Sequence, residues 1–558
     1  MTDNDTVHVD PTVDWGAWEG WGVSLAWWAN VFGDRDDLAD LLFTERTVPL
    51  LGHDLPGLGL TIARYNLGAS TWQPADGHRM VASRNIPRFK QLEGYWLDGR
   101  SDDPDAPSWN WSADPRQRAM LVKARDRGAD RLELFANSPI WWMCRNHNPS
   151  GGPLGSPNLP RENQLRHARY LATVARHARD HWGIAFTSVE PFNEPSTVGG
   201  WHAEGTQEGC VILVDAQEPI IEYLRHELDM RGLDGVEIAA SDETHVDIAD
   251  ITWHLMSETV RHQVGRVNVH GYQYAAGRRD RLYHSARTDG KRIWQSEYGG
   301  GDENGLDMAH NFLRDMARMH PVAWSYWQAV DETPGWGFLL GDLNAGTLTS
   351  VNTKYWVFAQ LSRHLRPGIR IVGTDAGHTV AAHDPARRRL VLVTATRHVG
   401  LQATYDPVPV RRPTGRCCTA VADHDRRGRR TLRRPPRRHH AVRAHVHRLG
   451  ATTQRPDLRD RQRADMTGGD MARSANPGRS AHDRALASNG RRHDKPGLVR
   501  LRDTVDVRDL RQPGARRNRR TWSSTAATLI DGARDAVDDA DDLIGAQVKH
   551  WYAASSRV

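Results

Sequence analysis

Up to about residue 366, short apolar runs alternate with helix-like runs, and this order constrains the fold more than any single residue does. The strand candidates are SLAWWA, LTIARYNLG, RLELFANSP, FTSVEPFNEP, VEIAASDET, RVNVHGYQ, RIWQSEYGG and AWSYWQAV. Each is short, apolar and mostly β-branched or aromatic, and each turns polar at its C-terminal end. Helical patterns lie between them. PRQRAMLVKARDRG carries Pro near its start and Gly at its stop. ENQLRHARYLATVARHARDHWG sets Leu165, Tyr170, Leu171, Val174 and Ala178 along one side and stops at Gly183. DMAHNFLRDMARMH follows the seventh strand. Alternating β and α elements imply a parallel sheet with right-handed crossovers. About eight such units imply an α/β fold, a (β/α)8 TIM barrel over residues 12–366. A doubly wound open sheet is the alternative, but no G-x-G-x-x-G follows the first strand.

NTKYWVFAQLSRHLRPG reads as a final helix ended by Pro367 and Gly368. IRIVGT, HTVAAHD, RLVLVTATRHV and LQATYD then read as antiparallel strands of a smaller C-terminal β-sandwich over residues 367–410, incomplete as written. An unfinished sandwich exposes strand edges, so poor solubility is expected of the chain as written. Residues 411–558 change character: Arg, His, Ala, Pro and Gly dominate through to about residue 520, with little periodicity. Two readings compete there. One is a disordered basic tail that binds polyanions. The other, favoured because the β domain stops before it could close, is a reading-frame error, since GC-rich coding DNA read out of frame yields these residue types.

Composition decides a few further points. The 21 Trp, most of them before residue 357, fit a large core or the stacking of sugar C–H faces on aromatic rings. Net charge is +5, but the Arg excess is concentrated after about residue 410, so the average misleads and no nucleic-acid partner is expected. The four Cys, Cys144, Cys210, Cys417 and Cys418, make neither a disulfide framework nor a metal-ligand spacing. His245 and His270 sit at strand ends and form no ligand set, so no metal and no cofactor is expected. No run is long and apolar enough for a membrane span. The start, MTDNDTVHVDPTVDWGAWEG, lacks the basic and apolar regions of a signal, so the expected location is cytoplasmic as written, or secreted if a leader precedes it.

FTSVEPFNEP runs from an apolar strand straight into Asn193 and Glu194, with Glu190 inside it. Burial penalises charge, and one answer is that the far end of that strand opens onto an active site. Glu194 ends the fourth strand candidate and Glu297 the seventh, and in a barrel both point into one bowl. Such a pair suits glycoside hydrolysis. One carboxyl group protonates the leaving oxygen, and in the retaining mechanism the other attacks the anomeric carbon from about 5 Å away.

PFNEP after a fourth strand, with a Glu ending a seventh, resembles the retaining glycosidases of the (β/α)8 type. EGWGVSLAWWANVFG, ARYNLG, FANSPIWWM and KYWVFAQLSRHLRPGIR are similar to glycoside hydrolase family 30, and the form SLAWWA resembles its endo-β-1,6-galactanase branch. The resemblance implies a retaining hydrolase of β-1,6-galactan chains, as on arabinogalactan, acting on a β-linked galacto-oligosaccharide or polysaccharide with Glu194 as acid/base and Glu297 as nucleophile. Ionised Glu297 and partial burial should raise Glu194 and keep it protonated. Asn193 is a candidate for the sugar 2-hydroxyl or a turn residue, Arg64 for holding Glu297 ionised or a structural ion pair, and Tyr272 for donating to Glu297 or a core tyrosine. Trp28, Trp142 and Trp327 are candidate sugar platforms, although a Trp on a barrel strand also serves as core. Asp242 and Glu243 are candidates for substrate hydroxyls or for helix N-terminal acids. Glu190 is read as structural. The alternatives are a β-1,6-glucanase, glucosylceramidase or xylanase of the same family, a non-catalytic carbohydrate-binding protein, and a nucleic-acid binder acting through the tail.

Overall fold

The computed structural model describes residues 6–197, 200–396, 404–407 and 441–448. Eight parallel strands close into a barrel: β1 (Gly20–Ser24), β2 (Ile62–Asn66), β3 (Arg131–Phe135), β4 (Ser188–Glu190), β5 (Glu237–Glu243), β6 (Val264–His270), β7 (Arg292–Tyr298) and β8 (Ala323–Tyr326). β8 returns to β1 with Trp324 opposite Trp21, so the barrel has no open edge. The α/β barrel expected from the alternation is the observed architecture.

The helices that follow each strand are held by their apolar stripes. Leu306–Arg318 buries Met308, Phe312, Leu313 and Met316 along one face. Arg161–His177 buries Tyr170, Leu171 and Val174 and, after one further turn, stops at Gly183 in the left-handed conformation. Pro115 opens its helix where its missing N–H would have no partner anyway. No helix among the described residues is long and apolar enough to cross a membrane.

The first strand lies earlier than SLAWWA suggests. Only its Ser24 is in β1, and Ala26–Phe32 is a helix. The true strand is glycine-rich for a packing reason: a Cβ on Gly22 would lie 2.3 Å from Ser325 Oγ and 2.8 Å from Ile62 Cβ. A sequence pattern that seeks β-branched residues passes over such a strand.

A second sheet stands beside the barrel. Its order is Thr404–Pro407, Thr6–Ala17, Arg370–Thr374, Thr379–Asp384, Arg389–Thr396 and Ala441–Arg448. Three features differ from the sequence reading. Thr6–Ala17, which crosses the expected barrel start at residue 12, belongs to this sheet. Thr404–Pro407, within and just past LQATYD, pairs with it in parallel rather than antiparallel. Ala441–Arg448, inside the expected tail, pairs antiparallel with Arg389–Thr396. The rest of residues 411–558 lies outside the described residues. The sheet's inner face joins the barrel core, with Val380, Val391 and Val393 in one apolar cluster with Phe312 and Phe358.

The barrel interior is charged in its upper part. Arg64 on β2 donates through Nε to Glu133 Oε1 on β3 at 2.8 Å, and Arg266 on β6 pairs with the same carboxylate. Ser188 Oγ donates to Glu133 Oε2 at 2.9 Å, and Asn268 Nδ2 to Oε1 at 3.2 Å. Charges this dry persist only when paired and hydrogen-bonded, as these are. The layer fixes side chains at the strand ends directly above it.

Candidate active site

Glu194 and Glu297 face each other at the C-terminal end of the barrel. Each lies more than nine-tenths buried in the wall of a cavity of about 400 Å³. One oxygen of each, together with one ring nitrogen of His270, lie within 4.8 Å of one another. Glu194 follows β4 on a backbone with φ +47°, a left-handed conformation that costs energy for a residue with a side chain. The surroundings impose it. The Glu194 N–H donates to the Asp242 carbonyl at 2.8 Å, while Thr197 Oγ1 and Trp201 Nε1 donate to its own carbonyl at 2.8 and 3.1 Å.

Glu297 ends β7 among donors. Tyr272 Oη donates to its Oε1 at 2.9 Å, Arg64 Nη1 to its Oε2 at 3.2 Å, and His270 Nδ1 lies 3.5 Å from Oε1. Burial raises its carboxyl to about 7, with His270 and Arg64 opposing that rise and Glu194 and Asp242 adding to it. Glu194 has one close charged donor, His270 Nδ1 at 3.1 Å. Two carboxylates so close in a dry site share their negative charge unequally. Tyr272 and Arg64 donate to Glu297 alone, while His270 is shared between the two carboxyl groups.

Behind the pair lies a balanced set of charges. Burial alone would lower His270, but Glu297 and Asp242 outweigh it and raise the imidazole to about 10. Asp242, with Arg64 and Ser296 Oγ as partners and His270 Nε2 at 3.3 Å, is fully buried, and Arg64 and His270 hold its carboxyl well below the usual range against that burial. Arg64 stays cationic between Asp242, Glu133 and Glu297 despite complete burial. Glu190, buried within β4 and close to Asp242 and Glu133, is pushed well above the carboxylate range by burial and stays neutral.

A histidine and two carboxylates at this spacing are a donor set a transition metal could use. The sequence reading, which finds no ligand set around His270, misses the cluster because its members come from β4, β6 and β7. Here Glu297 and Asp242 raise His270 to about 10, so at neutral pH the imidazole is a cation and offers no lone pair to a metal.

Of the residues singled out in the sequence, Asn193, Glu194, Tyr272, Glu297 and Trp327 line the cavity. Asn193 borders the cavity, and its Oδ1 is buried without a protein partner. Arg64 and Asp242 lie one layer beneath. Glu243 turns away: Thr252 Oγ1 and the Ser196 N–H donate to its carboxylate, which burial raises to about 7. Trp28 is fully buried, its indole N–H on the Ser24 carbonyl at 2.8 Å. Its neighbour Trp27 lines the cavity instead, since successive residues on a helix point about 100° apart. Trp142 belongs to a separate aromatic cluster, edge-on to Trp96 at 5.1 Å with its N–H on the Trp96 carbonyl. Further walls come from segments that follow the strands: Trp201 and Gln207 after β4, Phe89 and Lys90 on a short helical turn after β2, Thr244 after β5, and Asp331, Glu332, Thr333, Trp336 and Leu343 after β8. Their only sequence signal is a place in a segment that follows a strand.

A sequence profile described as O-glycosyl hydrolase family 30 matches residues 4–254. The chain is 50% identical over 401 residues to an endo-beta-1,6-galactanase of Hypocrea rufa, covering 72% of this chain and 83% of that protein. Among solved structures, a conserved exported protein from Bacteroides fragilis matches with a TM-score of 0.58 and 18% identity, over 70% of this chain and 89% of the other. The catalytic domain of GH30 xylanase C from Talaromyces cellulolyticus matches with a TM-score of 0.53 and 19% identity, over 71% and 87%. These structural likenesses bear on the fold.

Proposed function

This chain belongs to glycoside hydrolase family 30, and from that premise we propose that it cleaves β-1,6-linked galactan chains with retention of anomeric configuration. The observation that carries the reading is the placement of Glu194 and Glu297 oxygens within 4.8 Å across one cavity. That spacing suits a carboxylate that attacks C1 directly and leaves no room for the water an inverting enzyme places between its two groups.

Glu297, carrying the pair's negative charge, attacks the anomeric carbon as Glu194 protonates the departing glycosidic oxygen. The glycosyl ester that forms neutralises Glu297. Glu194, now a carboxylate, takes a proton from water, which attacks C1 and returns Glu297 as the leaving group. Tyr272 and Arg64 hold the charge on Glu297 before attack and after release. His270 lies between both carboxylates and stabilises whichever is ionised at each step. Asn193 is placed to meet the sugar 2-hydroxyl, and Trp27, Trp201, Trp327 and Trp336 supply aromatic surface to the cavity wall for sugar C–H groups.

The substrate assignment rests on the Hypocrea rufa relative. Incubation with β-1,6-galacto-oligosaccharides, β-1,6-gluco-oligosaccharides and β-1,4-xylo-oligosaccharides in parallel tests it. The expected result is hydrolysis of the galacto series, lost in Glu297→Gln. Faster turnover of the gluco or xylo series would replace the substrate assignment.

A further inference from the structure

One buried carboxyl group outside the catalytic set links two walls of the cavity. Glu208 lies on the loop after β4, next to Gln207 and on the same loop as Trp201, and both of these line the cavity. Its side chain reaches across to the loop after β2. Ser70 Oγ donates to Glu208 Oε1 at 2.6 Å, and the main chain of Ala69 and Leu92 borders the carboxyl group. The β2 loop is itself pinned there, with Ser70 N–H donating to the Leu92 carbonyl at 2.9 Å and Gly94 N–H to the Ser70 carbonyl at 2.8 Å. Two and three residues before Leu92, Lys90 and Phe89 also line the cavity. Glu208 is 1% exposed, its Oε2 has no hydrogen-bond partner, and no cation pairs with it among the described residues.

We infer that Glu208 is a positioning residue for substrate binding: it ties the loop carrying Trp201 and Gln207 to the loop carrying Phe89 and Lys90 and so sets the width of the cavity. Ionisation strains the tie: the Ser70 hydroxyl and the main chain of Ala69 and Leu92 favour the carboxylate, but burial outweighs them and no cation pairs with the charge among the described residues. Burial raises Glu208 to about 8. The groups facing it supply no compensating cation. Asp114, at the start of the helix Pro115–Asp126, is raised to about 7 by burial; Tyr170, on Arg161–His177, and Cys144, after β3, are raised by burial beyond the neutral range. Above about pH 8 the buried side chain ionises without a cation beside it, and parting of the two loops is the route by which water would reach it. Substrate affinity then falls as pH rises, with the chemical step untouched.

The inference rests on reading the cavity as the sugar site, so its test has one arm that does not use substrate. Hydrogen–deuterium exchange of peptides spanning 68–92 and 200–213, corrected for intrinsic exchange, is compared at pH 7 and 9.5 for wild type and Glu208→Gln. The wild type should lose protection in both peptides together at the higher pH, and Glu208→Gln should keep it. In the kinetic arm, KM on a β-1,6-galacto-oligosaccharide should climb above about pH 8 in wild type and stay flat in Glu208→Gln. Glu208→Ala should raise KM roughly threefold to tenfold with kcat preserved, the effect of one buried hydrogen bond. Coincident exchange profiles for wild type and Glu208→Gln would overturn the inference, as would a kcat loss with KM unmoved. Coupled exchange with no turnover of any galactoside would keep the tie and discard the substrate assignment instead.

Discussion

Replacing Tyr272 with Phe removes one hydroxyl and keeps the ring. In the structure that hydroxyl donates to Glu297 Oε1 at 2.9 Å, and its own ionisation is pushed well above 10 by burial and by the Glu297 charge, so it acts only as a donor. A hydrogen bond to an ionised acceptor contributes about 1.5–3 kcal/mol. Losing it weakens the charged form of Glu297 relative to the neutral form, which is equivalent to a rise of about one to two pH units in its titration. Glu297 already stands at about 7 because burial outweighs the help of His270 and Arg64. Activity requires it ionised, so kcat/KM rises as pH passes upward through that value. In Tyr272→Phe the acid limb should therefore shift upward by about one to two units, and below the limb kcat/KM should fall by about 10- to 150-fold. The assay is kcat/KM on a galacto-oligosaccharide at half-unit pH intervals, for both proteins. A fall in rate with the acid limb fixed would refute the reasoning, because Tyr272 would then act on the sugar and not on Glu297.

Four further outcomes follow from the geometry. Glu194→Ala should lose about 10²- to 10⁴-fold in kcat/KM on galacto-oligosaccharides but far less on a nitrophenyl β-galactoside, whose leaving group needs no proton; equal losses on both would count against its role as the acid. Gly209→Ala should raise KM, because a Cβ there would lie 2.3 Å from Trp201 Cδ2 and push that ring out of the cavity wall; unchanged kinetics would show that Trp201 contributes nothing to binding. Arg64→Met leaves Glu133 and Asp242 buried without their shared cation and should destabilise the fold by about 3–5 kcal/mol in denaturant titration, against little change if the network were dispensable. Stability should also fall on the alkaline side. Asp114 and Glu243 at about 7 and Glu208 at about 8 are all raised by burial, so the stability they contribute is present below their unfolded values near 4 and is lost as pH rises through 7 to 8; thermal midpoints that stay level from pH 6 to 9 would contradict this.

The barrel was legible because its signal is repeated. Seven of the eight strands overlap the short apolar runs that turn polar at or just beyond their ends, and the helices between them carry apolar stripes. The first strand was not legible because its residues answer to the neighbouring wall: Gly22 is needed for lack of space, and the aromatic pair after it is helical. Thr6–Ala17 alternates polar and apolar residues, but its partners Arg370–Thr374 and Thr404–Pro407 lie more than 350 residues away, and only those pairings make it a strand. Within the site, Glu194 and Glu297 were legible from strand-end position, which the barrel converts into proximity. Trp28 and Trp142 were misplaced because a tryptophan's sequence position says little about which way its ring points. Trp201 and Trp336 reach the cavity from loops, whose course is set by contacts such as Gly209 against the Trp201 ring. Asp242 and His270 looked like separate strand ends, and only closure of the barrel makes them one charge network with Arg64.

The account stands on Glu297 becoming covalently bonded to the sugar while Glu194 handles the proton. A 2-deoxy-2-fluoro-β-galactoside with an activated leaving group slows the second step and accumulates the intermediate. Peptide mass spectrometry of the inactivated protein should place a single fluoroglycosyl adduct on Glu297. An adduct on any other residue, or turnover to an inverted product with no adduct at all, would contradict it.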